Sequence, residues 1–221
     1  MHALAFLIDF DNTLFDADGL KRSIDRVVHQ KLGDEGARGF WDAYERVRDE
    51  RGVVDLFETT RRFAAALPAA DGLRHDILAI DPRPHVRPMA AEVVRHLQTL
   101  GACVIVSDGD PVYQSIKIWR SGLADLLAGC IIVLNGKERR IADIADSIPA
   151  ERYVVIDDKP AVLSAATVAL GVNVTTVLVR YGRYAGQTTP PDVDIAVDSI
   201  DELLLRGFKD FAEPRRPSPR G

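Results

Sequence analysis

Short apolar runs that stop abruptly at acid or hydroxyl residues constrain this chain more than any other feature. Ala3 to Ile8, opened by His2, is unbroken and closes on Asp9-Phe10-Asp11. Comparable runs recur at Ala102–Val106, Cys130–Leu134, Tyr153–Ile156 and Asn173–Val179, with a weaker one at Val193–Val197. An uninterrupted run of this length is the pattern of a strand buried on both faces. Helical patterns lie between the runs. Pro88–Leu100, Pro111–Arg120 and Pro160–Leu170 each open on a proline, and Gly101, Gly122 and Gly171 stand just past their ends. Proline suits a first helical turn and glycine a stop. Strands and helices in alternation predict an α/β fold, with a Rossmann-like parallel sheet flanked by helices.

One stretch breaks that rhythm. From Asp16 to about His85 there is no convincing strand. The apolar residues there, among them Ile24, Val28, Phe40, Trp41, Tyr44, Val47, Leu56 and Phe63, recur at helical spacing with charges of both signs between them. Residues 16–85 are therefore expected to form an all-helical insert in a core domain made of residues 1–15 and 86–207. Residues 208–221 are expected to be a disordered, Pro/Arg-rich tail. A chain of 221 residues is long enough for one large domain carrying such an insertion.

Composition removes other classes. Hydrophobic residues at 47% exclude a disordered chain, and a net charge of −5 argues against a nucleic-acid partner. Cys103 and Cys130 form no CxxC pair, and the five histidines show no HxH or HExxH spacing, so no zinc site is expected. The first apolar run is too short and too acidic for a signal peptide or membrane span. A soluble, cytoplasmic protein without a membrane partner is expected. No pattern in the chain encodes its oligomeric state.

The residues that carry chemistry stand where the apolar runs end. Alternation along a strand puts Asp9 and Asp11 on the same side, at the carboxyl edge where open α/β sheets bind ligands. Two nearby carboxylates do not both stay ionised without a cation, and carboxylate oxygens suit a hard ion such as Mg²⁺. Asp-Asn is also an ordinary turn signal. The run ending at Ile156 closes on a second pair, Asp157-Asp158, and it is the recurrence that points to a divalent-metal site. Ser107-Asp108-Gly109 presents a hydroxyl and one or two backbone N–H groups as an anion-binding turn, although strand–Ser–Asp–Gly is common without that role. Lys137, in Asn135-Gly136-Lys137-Glu138, is positioned to bring positive charge to a phosphate or a carboxylate, or is an ordinary surface lysine.

In this order the four pieces resemble the haloacid dehalogenase-like superfamily of hydrolases. The resemblance rests on Asp9-Phe-Asp-Asn-Thr-Leu14, Ser107-Asp-Gly109, Lys137 and Asp157-Asp158, and it makes residues 16–85 the superfamily's helical cap. It implies that Asp9 is the nucleophile forming an aspartyl phosphate, with Asp11 as general acid and then base. Ser107, Asp108, Gly109 and Lys137 would hold the phosphoryl group. Asp157 and Asp158 would bind Mg²⁺ with Asp9 and the backbone carbonyl of Asp11. An acid at position 11 favours phosphate esters over dehalogenation, so the implied activity is phosphohydrolysis of a small phosphorylated metabolite. Two departures stand out. Glu138-Arg139 follows Lys137 where many members have proline, and Val162 occupies the place of a further aspartate.

Two rivals use the same residues: a phosphotransferase or mutase, and a non-catalytic receiver-like binding module. Among weaker candidates, Asp110 reads as the cap of the following helix. Gln114 and Lys117 read as solvated or structural positions on that helix. Arg180–Tyr184 emerges at the same edge as the acids, bordering either the site or a partner surface. Trp41, Tyr44 and Phe63 read as packing inside the helical insert.

Overall fold

The computed structural model describes residues 2–186 and 189–213, with the side chain of Arg183 excepted. Six parallel strands form one sheet: β1 (His2–Ile8), β2 (Ala102–Asp108), β3 (Ile131–Leu134), β4 (Ala150–Asp157), β5 (Val174–Val179) and β6 (Ile195–Val197). Their order is β3-β2-β1-β4-β5-β6. β1 is central, with Ala5 opposite Ala102 on one side and Tyr153 on the other. The chain order reverses between β1 and β4, so the crevice beyond their carboxyl ends is the place this topology offers to a ligand.

Strand alternation divides the buried side chains between two faces. Leu4, Phe6, Ile8, Ile105, Val154 and Ile156 meet one cluster with Val93 and Leu97 of α4 (Ala90–Leu100) and Ile118 of α5 (Pro111–Arg120). Ala5, Leu7, Val104, Val106 and Val155 meet the other, with Ile141, Ile144 and Ala145 of one helix and Val162, Leu163 and Ala166 of another. The strands thus bury both faces, as their unbroken apolar sequences required.

Residues 17–85 contain helices and no strand. They begin with α1 (Ala17–Arg51), α2 (Leu56–Ala66) and α3 (Leu73–Ala79). Gly33 breaks α1 with φ 67° and ψ −176°, a backbone conformation that a side chain would strain. The insert joins the core through two adjacent linkers. The Asp16 N–H donates to His85 O at 2.7 Å, and the Arg87 N–H donates to Leu14 O at 3.0 Å. Among the described residues no helix is long and apolar enough to cross a membrane.

Two expected boundaries move. α4 begins at Ala90 rather than at Pro88, because Val86 bridges to Phe15 and Arg87 is held against Leu14. The residue before a proline is disfavoured in helical conformation, which keeps Arg87 out of the helix, and the chain turns at Met89 (φ 61°) before the helix starts. The tail expected from residue 208 begins instead with a helix, Phe208–Ala212. Phe211 is buried edge-on against Phe6 at 5.2 Å between ring centroids. Its carbonyl accepts from Arg152 Nε at 3.1 Å and from Thr175 Oγ1 at 2.8 Å. Burial of one aromatic ring holds this segment against the sheet. The Pro/Arg-rich stretch from residue 214 lies outside the described residues.

Phe211→Ala is expected to cost about 3–4 kcal/mol in urea-induced unfolding, the range for removing a fully buried ring. A loss under about 1 kcal/mol would show that the last helix does not dock as described.

Candidate active site

The carboxyl ends of β1, β2 and β4 bring Asp9, Ser107, Asp157 and Asp158 together with Lys137 from the turn after β3, and all five are buried. Asp9 follows β1 directly, its N–H donating to Ile156 O at 2.9 Å. Lys137 is the pivot, at 1% exposure. Its Nζ donates to Asp9 Oδ1 and lies 2.7 Å from Asp157 Oδ2. A 3₁₀ turn over Lys137–Arg139, opened by Gly136 at φ 73°, folds the lysine back under the sheet edge. That turn is fastened by the Lys137 N–H donating to Asp108 Oδ1 at 2.9 Å.

The Asp108 side chain and the Gly109 N–H also carry bonds within the fold. The Asp108 carboxylate is engaged by the Lys137 backbone and lies 3.5 Å from Lys159 Nζ. The Gly109 N–H donates to Leu134 O at 3.0 Å as the β2–β3 ladder ends, so it is not a free donor for a phosphate. Asp110 caps α5, accepting from the Tyr113 N–H at 2.8 Å.

Carboxylate oxygens of Asp9, Asp157 and Asp158 lie within 4.8 Å of one another. Among the described residues, Asp9 Oδ2 and Asp158 Oδ1 are buried with no hydrogen-bond partner. Orphaned buried carboxylate oxygens are costly, and three converging carboxylates are a donor set suited to a hard divalent cation. Burial pushes Asp9 up to about 7 despite Lys137 beside it. Burial, then Asp9 and Asp157, push Asp158 up to about 8. Burial pulls Lys137 down, but Asp157 and Asp9 together outweigh it and hold the lysine above its ordinary range. Val162, where a further acid was missing from the sequence pattern, packs with Leu7, Val106 and Val155 behind the site. In its absence Asp157 is held by Lys137 and by the Lys159 N–H, which donates to Oδ1 at 2.9 Å.

The carboxylate of Asp11 is not part of this cluster. It turns toward α5, where Lys117 and Gln114 bond it. These two side chains were expected to be solvated or structural, and both are buried. On the same helix Val112 and Trp119 are 55% and 51% exposed. A signal was present in the helix itself, since Gln114, Lys117 and Ile118 share one face. Tyr44 from α1 and Tyr113 from α5 are held above the ordinary tyrosine range, by burial first and then partly by the charge of Asp11. Within the insert the Tyr44 ring packs edge-on against Trp41, 5.2 Å between centroids. In the loop after β5, the Tyr181 ring lies 3.6 Å from the Arg87 guanidinium carbon. A Cβ on Gly182 would fall 2.6 Å from Asn12 Nδ2, so this loop abuts the first aspartate loop.

Among solved structures the chain is similar to a haloacid dehalogenase-like hydrolase from Burkholderia xenovorans LB400. The two are 32% identical, the match covers 94% of this chain and 100% of the other, and the TM-score is 0.85. A haloacid dehalogenase-like family hydrolase from Xanthomonas campestris is 19% identical over 92% of this chain and 90% of its own, with TM-score 0.64. The HAD-hydrolase YfnB from Bacillus subtilis, solved bound to magnesium, is 15% identical over 90% and 96%, with TM-score 0.61. Family profiles and curated sequences give no match to the chain.

The raised carboxyls predict how stability depends on pH. Asp9 and Asp158 ionise from 3.8 upward when unfolded, but at about 7 and 8 when folded without a cation. The unfolded chain loses these protons first, so their contribution weakens stability as pH rises from about 4 to 8. A divalent cation replaces the protons, and its stabilisation should grow over the same window. The rise in Tm on adding Mg²⁺ is expected to be larger at about pH 8 than at about pH 5. A shift independent of pH would contradict this account of the cluster.

Proposed function

Because this chain belongs to the haloacid dehalogenase-like hydrolases, we propose that it is a magnesium-dependent phosphohydrolase. It acts on a small phosphorylated metabolite through an aspartyl phosphate on Asp9. The observation that carries the proposal is the buried Asp9, with Oδ1 bound by Lys137 and Oδ2 unpartnered. One oxygen is fixed and the other is free to attack.

Asp9 Oδ2 attacks phosphorus, and the bond from phosphorus to the ester oxygen breaks. Asp11, half-buried two residues on, delivers a proton to the departing oxygen. Water then attacks the phosphorus of the aspartyl phosphate, Asp11 takes the proton, and the bond to Asp9 breaks to release inorganic phosphate. Lys137 keeps Asp9 oriented and offsets its charge, and the Ser107 hydroxyl binds a phosphoryl oxygen. Asp9, Asp157 and Asp158 would hold the Mg²⁺, with the backbone carbonyl of Asp11. When bound, the ion supplies charge neutralisation for the phosphoryl oxygens. The helical insert, carrying Tyr44 toward Asp11, acts as a cap that shields the site from bulk water.

Hydrolysis of an aryl phosphate should require Mg²⁺, be abolished by chelator, and fall at least about 10³-fold in Asp9→Asn. Activity in the variant equal to wild type would remove Asp9 as nucleophile and with it the aspartyl phosphate.

A further inference from the structure

α5 directs two polar side chains into the interior. Lys117 is 7% exposed and Gln114 is 4% exposed. Lys117 Nζ donates to Asp11 Oδ1 at 2.6 Å and to Oδ2 at 2.7 Å. Gln114 Nε2 donates to Asp11 Oδ2 at 2.7 Å and to Ser107 Oγ at 2.6 Å. The rings of Phe10 and Phe15, each 5.5 Å away, and Tyr113 at 5.8 Å surround the ammonium. Burying an ammonium is unfavourable unless it is paired, and a helix that only needed packing here would be better served by leucine. Instead Val112 and Trp119 are left in solvent while the lysine goes in.

We propose that Lys117 and Gln114 are positioning residues that clamp the Asp11 carboxylate, a role that presupposes the phosphohydrolase function above. Rotation of an aspartate carboxylate about its last torsion is soft. Proton transfer needs one oxygen within hydrogen-bond reach of the leaving oxygen or the attacking water. The lysine engages both oxygens and removes that freedom. The glutamine amide joins the same carboxylate to the Ser107 hydroxyl, so the proton-handling oxygen and the phosphate-binding oxygen keep a fixed separation. Neither side chain touches the reacting phosphorus; both act through Asp11 and Ser107.

The test is a double-mutant cycle read on two substrates with Mg²⁺ present. Wild type, Lys117→Met, Asp11→Asn and the double variant are compared by kcat/KM, and urea unfolding checks that each is folded. An aryl phosphate has a leaving group that departs without a proton, whereas an alkyl phosphate needs one. Lys117→Met is expected to lose about 10²-fold on the alkyl phosphate and under about 5-fold on the aryl phosphate. The double variant should be no slower than Asp11→Asn alone, because a clamp has no effect once the acid is gone. Equal losses on both substrates, or losses that multiply in the double variant, would overturn the clamp. Gln114→Leu, which also frees Ser107, should raise KM about 10-fold as well as lower kcat, and an unchanged KM would overturn its bridging role. It completes the same cycle if Lys117→Met does not fold. Wild type inactive on both substrates would overturn the phosphohydrolase function and the clamp together; an active wild type with equal losses would overturn the clamp alone.

Discussion

A lysine buried between two aspartates organises this molecule. Lys137 sits with Asp9 on one side and Asp157 on the other, where water cannot screen any of them. Removing one member of such a group leaves an uncompensated buried charge, which is strongly destabilising. The rest of the edge is arranged to keep the lysine in place. The 3₁₀ turn after β3 aims it inward, and Asp108 spends its carboxylate fastening that turn. Even so, three carboxylates converge while two of their buried oxygens stay unpartnered. The surplus negative charge is what a cation and a phosphoryl group together would use.

The sheet topology makes that concentration of charge possible. A strand order reversing between β1 and β4 opens a crevice beyond their carboxyl ends, where Asp9 follows β1 and Asp157 closes β4. The helical insert leaves the chain just after β1 and returns beside its own exit, with the linkers bonded to each other. The insert is therefore anchored at the edge that carries the acids, and Tyr44 is close enough to Asp11 to feel its charge. Position of the insert and composition of the site are thus one consequence of where β1 stops.

Much of the candidate site could be read from the chain because its clustered acids adjoin strand ends. Asp9, Ser107, Asp157 and Asp158 needed only the direction of a strand to be placed together. The structural bonds beside them were not legible: the Asp108 carboxylate fastens Lys137, and the Gly109 N–H makes the last rung of the β2–β3 ladder. Lys137 was legible as a candidate charge for a phosphate or a carboxylate, but not as a buried lysine, because its burial depends on a partner 128 residues away in the chain. The contacts of Lys117 and Gln114, read as solvated or structural positions, were hidden for the same reason. A lysine on a helix is normally solvated, and nothing local reveals that the face carrying it is turned toward Asp11.

The sequence by itself determined the parallel sheet, the helical nature of residues 17–85, and the carboxyl edge as the place where the acids gather. Those properties follow from local periodicity and from residues next to one another in the chain, which need no knowledge of distant contacts. Tertiary structure alone decided which lysines are buried, which face of α5 looks inward, and that Phe211 docks the last helix on Phe6. Each of those depends on the pairing of a charge or a ring with a partner brought close only by the completed fold. The free energy of such burial belongs to the pair and to its desolvation, so no single segment of the chain carries it.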